Sequence, residues 1–393
     1  MPRSLSRNGH PLAAEPQEEH PLLEAAEGNI VLFHPHVPSS AASRVSDVLR
    51  GRWIGQGPLV DEFERRFAER LDSAGRAVAV GAGTDALHLA YILAGIRPGD
   101  EVIAPVFTCV ATNMPLLYQR ARIRFADVQP QTLNIDPGHV RALVSDHTRA
   151  IVCTHYAGLP CDIDELEAVA RERGIPLIED AAQALGAVYR GRPIGTTADF
   201  TAFSFQAIKH ITTGDGGMLM VRDGAAARRG RLLRWFGIDR AKKHAGLWEN
   251  DIRETGYKYQ MTDVAAAMGL AGLDDLDSIL EHRRGLLRAY SRGLRDTPGV
   301  TLIAANPEDR QHAAWACTIL AEDRRDLELK LREHCIEARQ VHYRNDRYSI
   351  FRRFHGDCPN MDRLDSRYLL LPLHTKMSVG HVEQVCSVIR SGW

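Results

Sequence analysis

The chain has 393 residues, enough for two domains with sizeable cores, and its 49 basic and 50 acidic side chains leave a net charge of −1, which argues against a nucleic-acid partner. No apolar run approaches the roughly 20 residues of a membrane span, and residues 1–28 are polar, proline-containing and glutamate-rich, so they read as a flexible leader rather than a signal peptide. Seven cysteines without a CxxC pair point to reduced thiols, a cytoplasmic location and no metal site.

In chain order, residues 45–71 carry helical periodicity around the turn Gly55-Gln-Gly-Pro58, with Phe63 and Phe67 on one face. An apolar run at 77–80 meets the glycine turn Gly81-Ala-Gly-Thr84, and an amphipathic helix is expected over 85–94. Strands are expected at 101–106, 122–128, 150–155, 176–178, 200–205 and 218–221, with helical patterns at 112–118, 137–144 and 164–173 between them. This alternation predicts an α/β domain whose mixed, mostly parallel sheet lies between layers of helices. Residues 239–254 read as a long polar loop, of a length typical of functional loops. Residues 262–294 read as one or two long helices, and the remainder as a smaller α/β domain. The expected division is a leader at 1–28, a large domain at 29–255, and the long helix with a smaller C-terminal domain at 256–393.

One lysine stands out: Lys209 lies between the apolar strand ending Phe203-Ser-Phe205 and the turn Gly214-Asp-Gly-Gly217, in a connection where an amine can point into a cleft. Upstream, Ile178-Glu-Asp180 puts carboxylates at the end of another apolar strand, where open α/β sheets bind ligands. An amine for a Schiff base and a carboxylate for a pyridinium nitrogen are the two groups that pyridoxal 5′-phosphate (PLP) chemistry requires. Gly83 and Thr84 open a helix whose free N–H groups suit a phosphate. Gln183, three residues after Asp180, is within reach of the same ring, and Ser204 offers a hydroxyl to the phosphate. Lys258, in Gly256-Tyr-Lys-Tyr-Gln-Met261, is either a solvated cation or a phosphate contact.

In order and wording these pieces resemble the DegT/DnrJ-type sugar aminotransferases, PLP enzymes of the aspartate-aminotransferase fold (fold type I). The resemblance spans about 31–277, on Gly83-Thr-Asp-Ala-Leu87, Pro98-Gly-Asp-Glu-Val-Ile103, Glu179-Asp-Ala-Ala-Gln183, Phe203-Ser-Phe205, and Lys209 followed by Thr212-Thr-Gly-Asp-Gly-Gly217. It implies Lys209 as the Schiff-base lysine, Asp180 on the pyridine nitrogen, Gln183 near the ring hydroxyl, and Ser204, Gly83 and Thr84 at the phosphate. It further implies a homodimer in which the 256–261 loop completes the neighbouring subunit's site. Three positions depart from the family's pattern: Cys109 replaces an aromatic that stacks on the ring, Lys258 replaces an asparagine, and Gln260 replaces an arginine.

The reaction this implies is transamination of a nucleotide-linked keto-deoxysugar, a dTDP-4-keto-6-deoxyhexose by preference, with L-glutamate as donor. The alternatives are a keto-cyclitol substrate, or a sugar dehydratase of the same fold. Such dehydratases carry histidine in place of the lysine, whereas here His210 comes one residue after it. Sugar contacts are expected from residues 53–56 and from His342-Tyr-Arg-Asn-Asp-Arg347, whose cations suit a diphosphate.

Overall fold

The computed structural model describes residues 28–73, 76–244, 246–249, 251–303 and 308–393. The expected leader lies, but for its last residue, outside the described residues.

Two helices, α1 (Ala41–Arg50) and α2 (Pro58–Arg70), precede the first strand, β1 (Ala77–Val80), and α3 (Gly83–Leu93). Then follow β2 (Glu101–Pro105), α4 (Val110–Tyr118), β3 (Arg122–Ala126), α5 (Pro137–Leu143), β4 (Thr148–Thr154), α6 (Ile163–Arg173) and β5 (Leu177–Asp180). A small hairpin, β6 (Val188–Tyr189) and β7 (Arg192–Pro193), leads to β8 (Phe200–Ser204), β9 (Gly217–Val221) and α7 (Gly224–Leu233). The segment read as a loop from 239 contains a helical turn, α8 (Arg240–His244), which starts where the Asp239 carboxylate accepts from the Lys242 N–H at 3.2 Å. The region read as one or two long helices is one, α9 (Asp263–Gly293), 31 residues and roughly 45 Å long. Beyond it lie β10 (Val300–Leu302), β11 (Arg310–Gln311), β12 (Cys317–Ala321), α10 (Arg324–Glu333), α11 (Pro359–Leu364), β13 (Tyr368–Leu371) and α12 (Val379–Arg390).

The main sheet has seven strands in the order β1-β9-β8-β5-β4-β2-β3. Neighbours β8, β5, β4, β2 and β3 pair in parallel, while β9 runs antiparallel to both β8 and β1. Six strands therefore share one direction. Their continuous apolar runs follow from burial on both faces: Val78 and Val80 point into one core layer, while Ala77 and Ala79 point into the other. A second sheet, β10-β12-β13, forms a core of its own with α12 and the end of α9. The β6–β7 hairpin is completed by β11, a pairing across more than a hundred residues that no local pattern announces.

The turn Gly55-Gln-Gly-Pro58 is held by a residue far along the chain. Asp263 is 2% exposed, and its carboxylate accepts from the N–H groups of Gly57 (2.7 Å), Leu59 (3.2 Å) and Val60 (3.2 Å), so it caps α2 rather than its own helix. A Cβ on Gly57 would lie 2.6 Å from Asp263 Oδ2, which is why glycine stands there. Thr262 caps α9 instead, its hydroxyl accepting from Ala265 N–H. Asp263→Ala leaves three N–H groups without their acceptor and is expected to cost about 3 kcal/mol, read as a lowered midpoint in urea unfolding.

Candidate active site

Because six strands are co-directed, the carboxyl ends of β1, β2, β4, β5 and β8 open onto one edge, and α3 and α4 begin there. Asp180, the last residue of β5, lies between β4 and β8 and is 3% exposed. Its Oδ1 accepts from Ala182 N–H at 3.0 Å and its Oδ2 from the Thr112 hydroxyl at 2.6 Å. Thr112 stands in the first turn of α4, and it was not among the residues the sequence singled out. The spacing of Thr108 and Thr112, one helical turn apart, was the available signal.

Lys209 sits on the connection from β8 to β9. Phe205 N–H bonds to Gly216 O at 2.8 Å and Thr213 N–H to Phe205 O at 2.9 Å, which pins both ends of this loop. The half-buried Lys209 ammonium lies 4.5 Å from the centre of the Trp315 ring. Burial lowers its pKa, against the nearby charges of Cys109 and Asp180. Cys109 precedes α4 on the same edge; burial raises its thiol pKa, with Asp180 raising it further and Lys209 opposing.

The glycines of the Lys209 loop answer to close approach. A Cβ on Gly217 would fall 2.4 Å from Ala82 O and 2.8 Å from Gly83 N, so β9 could not lie against the start of α3 with any other residue there. A Cβ on Gly83 would fall 2.8 Å from Ser204 Cβ and 3.1 Å from its hydroxyl. Backbone at Gly83 and the Ser204 hydroxyl thus share one small space. No side chain caps α3, so its first-turn N–H groups at Gly83 and Thr84 are left for an anion.

Gln183 is 2% exposed. Its Oε1 accepts from Ala157 N–H at 2.7 Å, and its Nε2 is 2.9 Å from His342 Nε2. The amide is therefore the donor and His342 Nε2 the acceptor, which puts the imidazole proton on Nδ1. Burial, assisted by the Lys209 charge, pushes His342 down to about 3, consistent with a neutral ring. Trp315 stacks on His342 with centroids 5.9 Å apart. Neither Trp315 nor this use of His342 had a signal in the sequence; both come from the C-terminal part of the chain.

The cations expected to meet a diphosphate are paired within the chain, Arg344 in the interior and Arg347 with most of its side chain exposed. Arg344 is 2% exposed and holds Asp346 through two bonds of 2.7 Å, with a third to Asp362, while Arg347 pairs with Asp365. Trp53 and Ile54 are exposed, whereas Gln56 is buried and its carbonyl accepts from Arg240 at 2.8 Å. Lys258 is exposed, its ammonium 4.8 Å from the Trp235 ring and 5.6 Å from that of Phe236, and among the described residues no contact joins it to Lys209, Asp180 or Ser204 of its own chain. His210 points away from the edge: it is buried, 2.8 Å from Ala313 O, and its pKa is driven far down by burial and the Arg283 charge.

The model of the DegT/DnrJ/EryC1/StrS aminotransferase family matches residues 37–390. The chain belongs to this family. GDP-perosamine synthase of Escherichia coli O157:H7 is 31% identical, over 92% of this chain and 97% of that one. Sugar aminotransferase CalS13 from Micromonospora echinospora is 35% identical with a TM-score of 0.88, covering 93% of this chain and 100% of its own. Spr1654 from Streptococcus pneumoniae, solved in PMP and PLP forms, reaches a TM-score of 0.86 in both, at 28% and 27% identity over 92% of this chain and 98% of its own. This aminotransferase is thus a PLP-dependent enzyme acting on a sugar, with the α/β layers expected from its strand and helix pattern and the PLP-dependent transferase fold that the resemblance implied. No helix among the described residues is long and apolar enough to cross a membrane, and no group of three or more His, Cys, Asp or Glu residues there is arranged to hold a metal ion.

The aminotransferase's Asp85, in the first turn of α3, has its pKa raised by burial from 3.8 to about 6. The folded protein therefore holds a proton that the unfolded chain has lost between those values, and the stability that proton contributes disappears as pH rises through about 6. Asp85→Asn removes this dependence: the melting temperature of the wild type should fall relative to the variant between pH 4 and pH 7, measured by scanning fluorimetry.

Proposed function

We propose that the enzyme transfers an amino group from L-glutamate to a nucleotide-linked keto-deoxysugar, a dTDP-4-keto-6-deoxyhexose by preference. The observation that carries this reading is a half-buried lysine amine beside a buried carboxylate at the strand edge, next to an uncapped helix start. These residues fit PLP. Lys209 would carry it, Asp180 would face the ring nitrogen, and Gln183, its amide oriented by Ala157 and His342, would face the phenolic oxygen. Ser204 and the N–H groups of Gly83 and Thr84 would hold the phosphate, and the Cys109 thiol would pack on the ring where relatives stack an aromatic. When bound, the cofactor supplies a carbonyl for the donor's amine and a ring that spreads carbanion charge.

Lys209 Nζ would take the proton from the donor's α-carbon and later return one, acting as base and then acid. The lowered proton affinity that burial gives Lys209 suits it to the first role. Asp180, held by two hydrogen bonds, would face the ring nitrogen and hold its proton there.

The same reading includes a homodimer with shared sites. Lys258 is exposed and among the described residues makes no contact with its own chain's Lys209, as expected for a residue that serves the phosphate in a neighbouring subunit. It also includes a cytoplasmic location and a division at residue 256 between a large cofactor-binding domain and a smaller C-terminal one. Dehydration is disfavoured, because His210 is buried against Ala313 rather than turned to the edge.

Two experiments test this. Lys209→Ala is expected to abolish turnover and the absorbance of lysine-bound cofactor; a variant that still transaminates removes Lys209 from its role. The PLP-loaded enzyme, incubated with glutamate and a panel of dTDP-, GDP- and UDP-linked keto-sugars, is expected to give a new amine on a dTDP sugar, whose position NMR assigns. Amination of a keto-cyclitol alone would overturn the substrate reading.

A further inference from the structure

Three buried threonine hydroxyls run in single file behind Asp180. Thr112 Oγ1 donates to Asp180 Oδ2 at 2.6 Å, Thr108 Oγ1 lies 2.7 Å from Thr112 Oγ1, and Thr154 Oγ1 lies 3.0 Å from Thr108 Oγ1. Their exposures are 0%, 1% and 4%. They come from separate elements: Thr154 ends β4 opposite Asp180 in the sheet register, Thr108 follows β2, and Thr112 is in α4.

Proton counting fixes the direction of this chain. An ionised carboxylate only accepts, and each hydroxyl has one proton to give. Thr112 spends its proton on Asp180, so its oxygen must accept from Thr108. Thr108 has then spent its own, so its oxygen must accept from Thr154. All three O–H dipoles point at the carboxylate, and each polarises the next in a buried setting.

We propose that Thr154, Thr108 and Thr112 form a directed hydroxyl relay that lowers the proton affinity of Asp180, so that the shared proton stays on the cofactor's ring nitrogen. The proposal rests on the reading that Asp180 meets that nitrogen. A carboxylate at the end of a hydrophobic strand, with no cation bonded to it, tends to take up a proton. Hydrogen bonds donated to its charged form oppose this, and the relay adds a donor whose strength is set two residues away. All three threonines are positioning residues, since none of them need touch substrate or cofactor.

The test uses holoenzyme reconstituted with PLP labelled with 15N in the ring, whose nitrogen shift reports protonation independently of turnover. Thr112→Val, isosteric and apolar, is expected to move the signal toward the neutral-pyridine value and to lower kcat roughly tenfold, the scale of one hydrogen bond to a charged group, with the sugar KM nearly unchanged. Thr154→Val, which does not touch Asp180, is expected to move it the same way with a loss of about twofold. Thr112→Ser, which keeps the hydroxyl, is expected to restore the signal. A Thr154→Val signal identical to wild type overturns the relay, as does a melting-temperature loss in Thr112→Val without any nitrogen shift. Asp180→Asn separates the two levels of the argument: if it leaves the nitrogen signal unmoved, the assignment of Asp180 itself falls, whatever the threonines do.

Discussion

The common direction of six strands is the constraint on which the site depends. Parallel strands need crossover connections, so β1 and β2 each turn into a helix start on that edge, and carboxylates, hydroxyls and free N–H groups collect there. Asp180, Ser204, Thr154 and the starts of α3 and α4 meet because β5, β8, β4, β1 and β2 all finish on that edge. The single reversed strand, β9, lets the chain turn back from β8 within a short loop. That loop carries Lys209 to the same edge and lays Gly217 against the backbone of Ala82 and Gly83.

Charge in such a place has to be held by geometry rather than by water. Asp180 is satisfied by one backbone N–H and one hydroxyl, Gln183 by one backbone N–H and one imidazole, and Lys209 by the face of Trp315. Each of these partners is itself fixed: Trp315 donates its indole N–H to Ile208 O at 3.1 Å, and Asn345 bridges Thr108 O and Asn113 between the C-terminal part of the chain and α4. The C-terminal residues therefore belong to the site as its back wall, through Trp315, His342 and Asn345. Arg344 is committed to the buried Asp346 and has no exposed face for a ligand, while the exposed Arg347 pairs with Asp365.

The polar turn before α2 illustrates how distant residues settle local structure. Asp263 reads as the opening residue of α9, yet its carboxylate is spent on the first N–H groups of α2. A capping aspartate reads the same in sequence whichever helix it caps, because the pattern records the residue type and not the partner. The same limit hid Thr112 and the bond of His342 to Gln183. Threonine near a helix start and histidine in a C-terminal loop are ordinary on their own, and only the packing of β2, β4 and β5 lines up three hydroxyls on one carboxylate.

By itself the sequence determined the α/β architecture, six of the seven strands of the main sheet to within a few residues at their ends and an apolar run at the seventh, the family, the cofactor, and the lysine and carboxylate that stand at the strand edge. It did so because buried parallel strands must be continuously apolar and because the glycine turn, the strand-end carboxylate and the lysine, each ordinary alone, are specific in that order. Tertiary structure alone decided which partners those groups have: the relay behind Asp180, the imidazole on Gln183, the indole under Lys209, the β6–β7–β11 sheet and the engagement of Arg344. The imidazole, the indole and β11 come from more than a hundred positions away and the relay joins three separate elements, and a linear pattern carries no record of the distance between such segments.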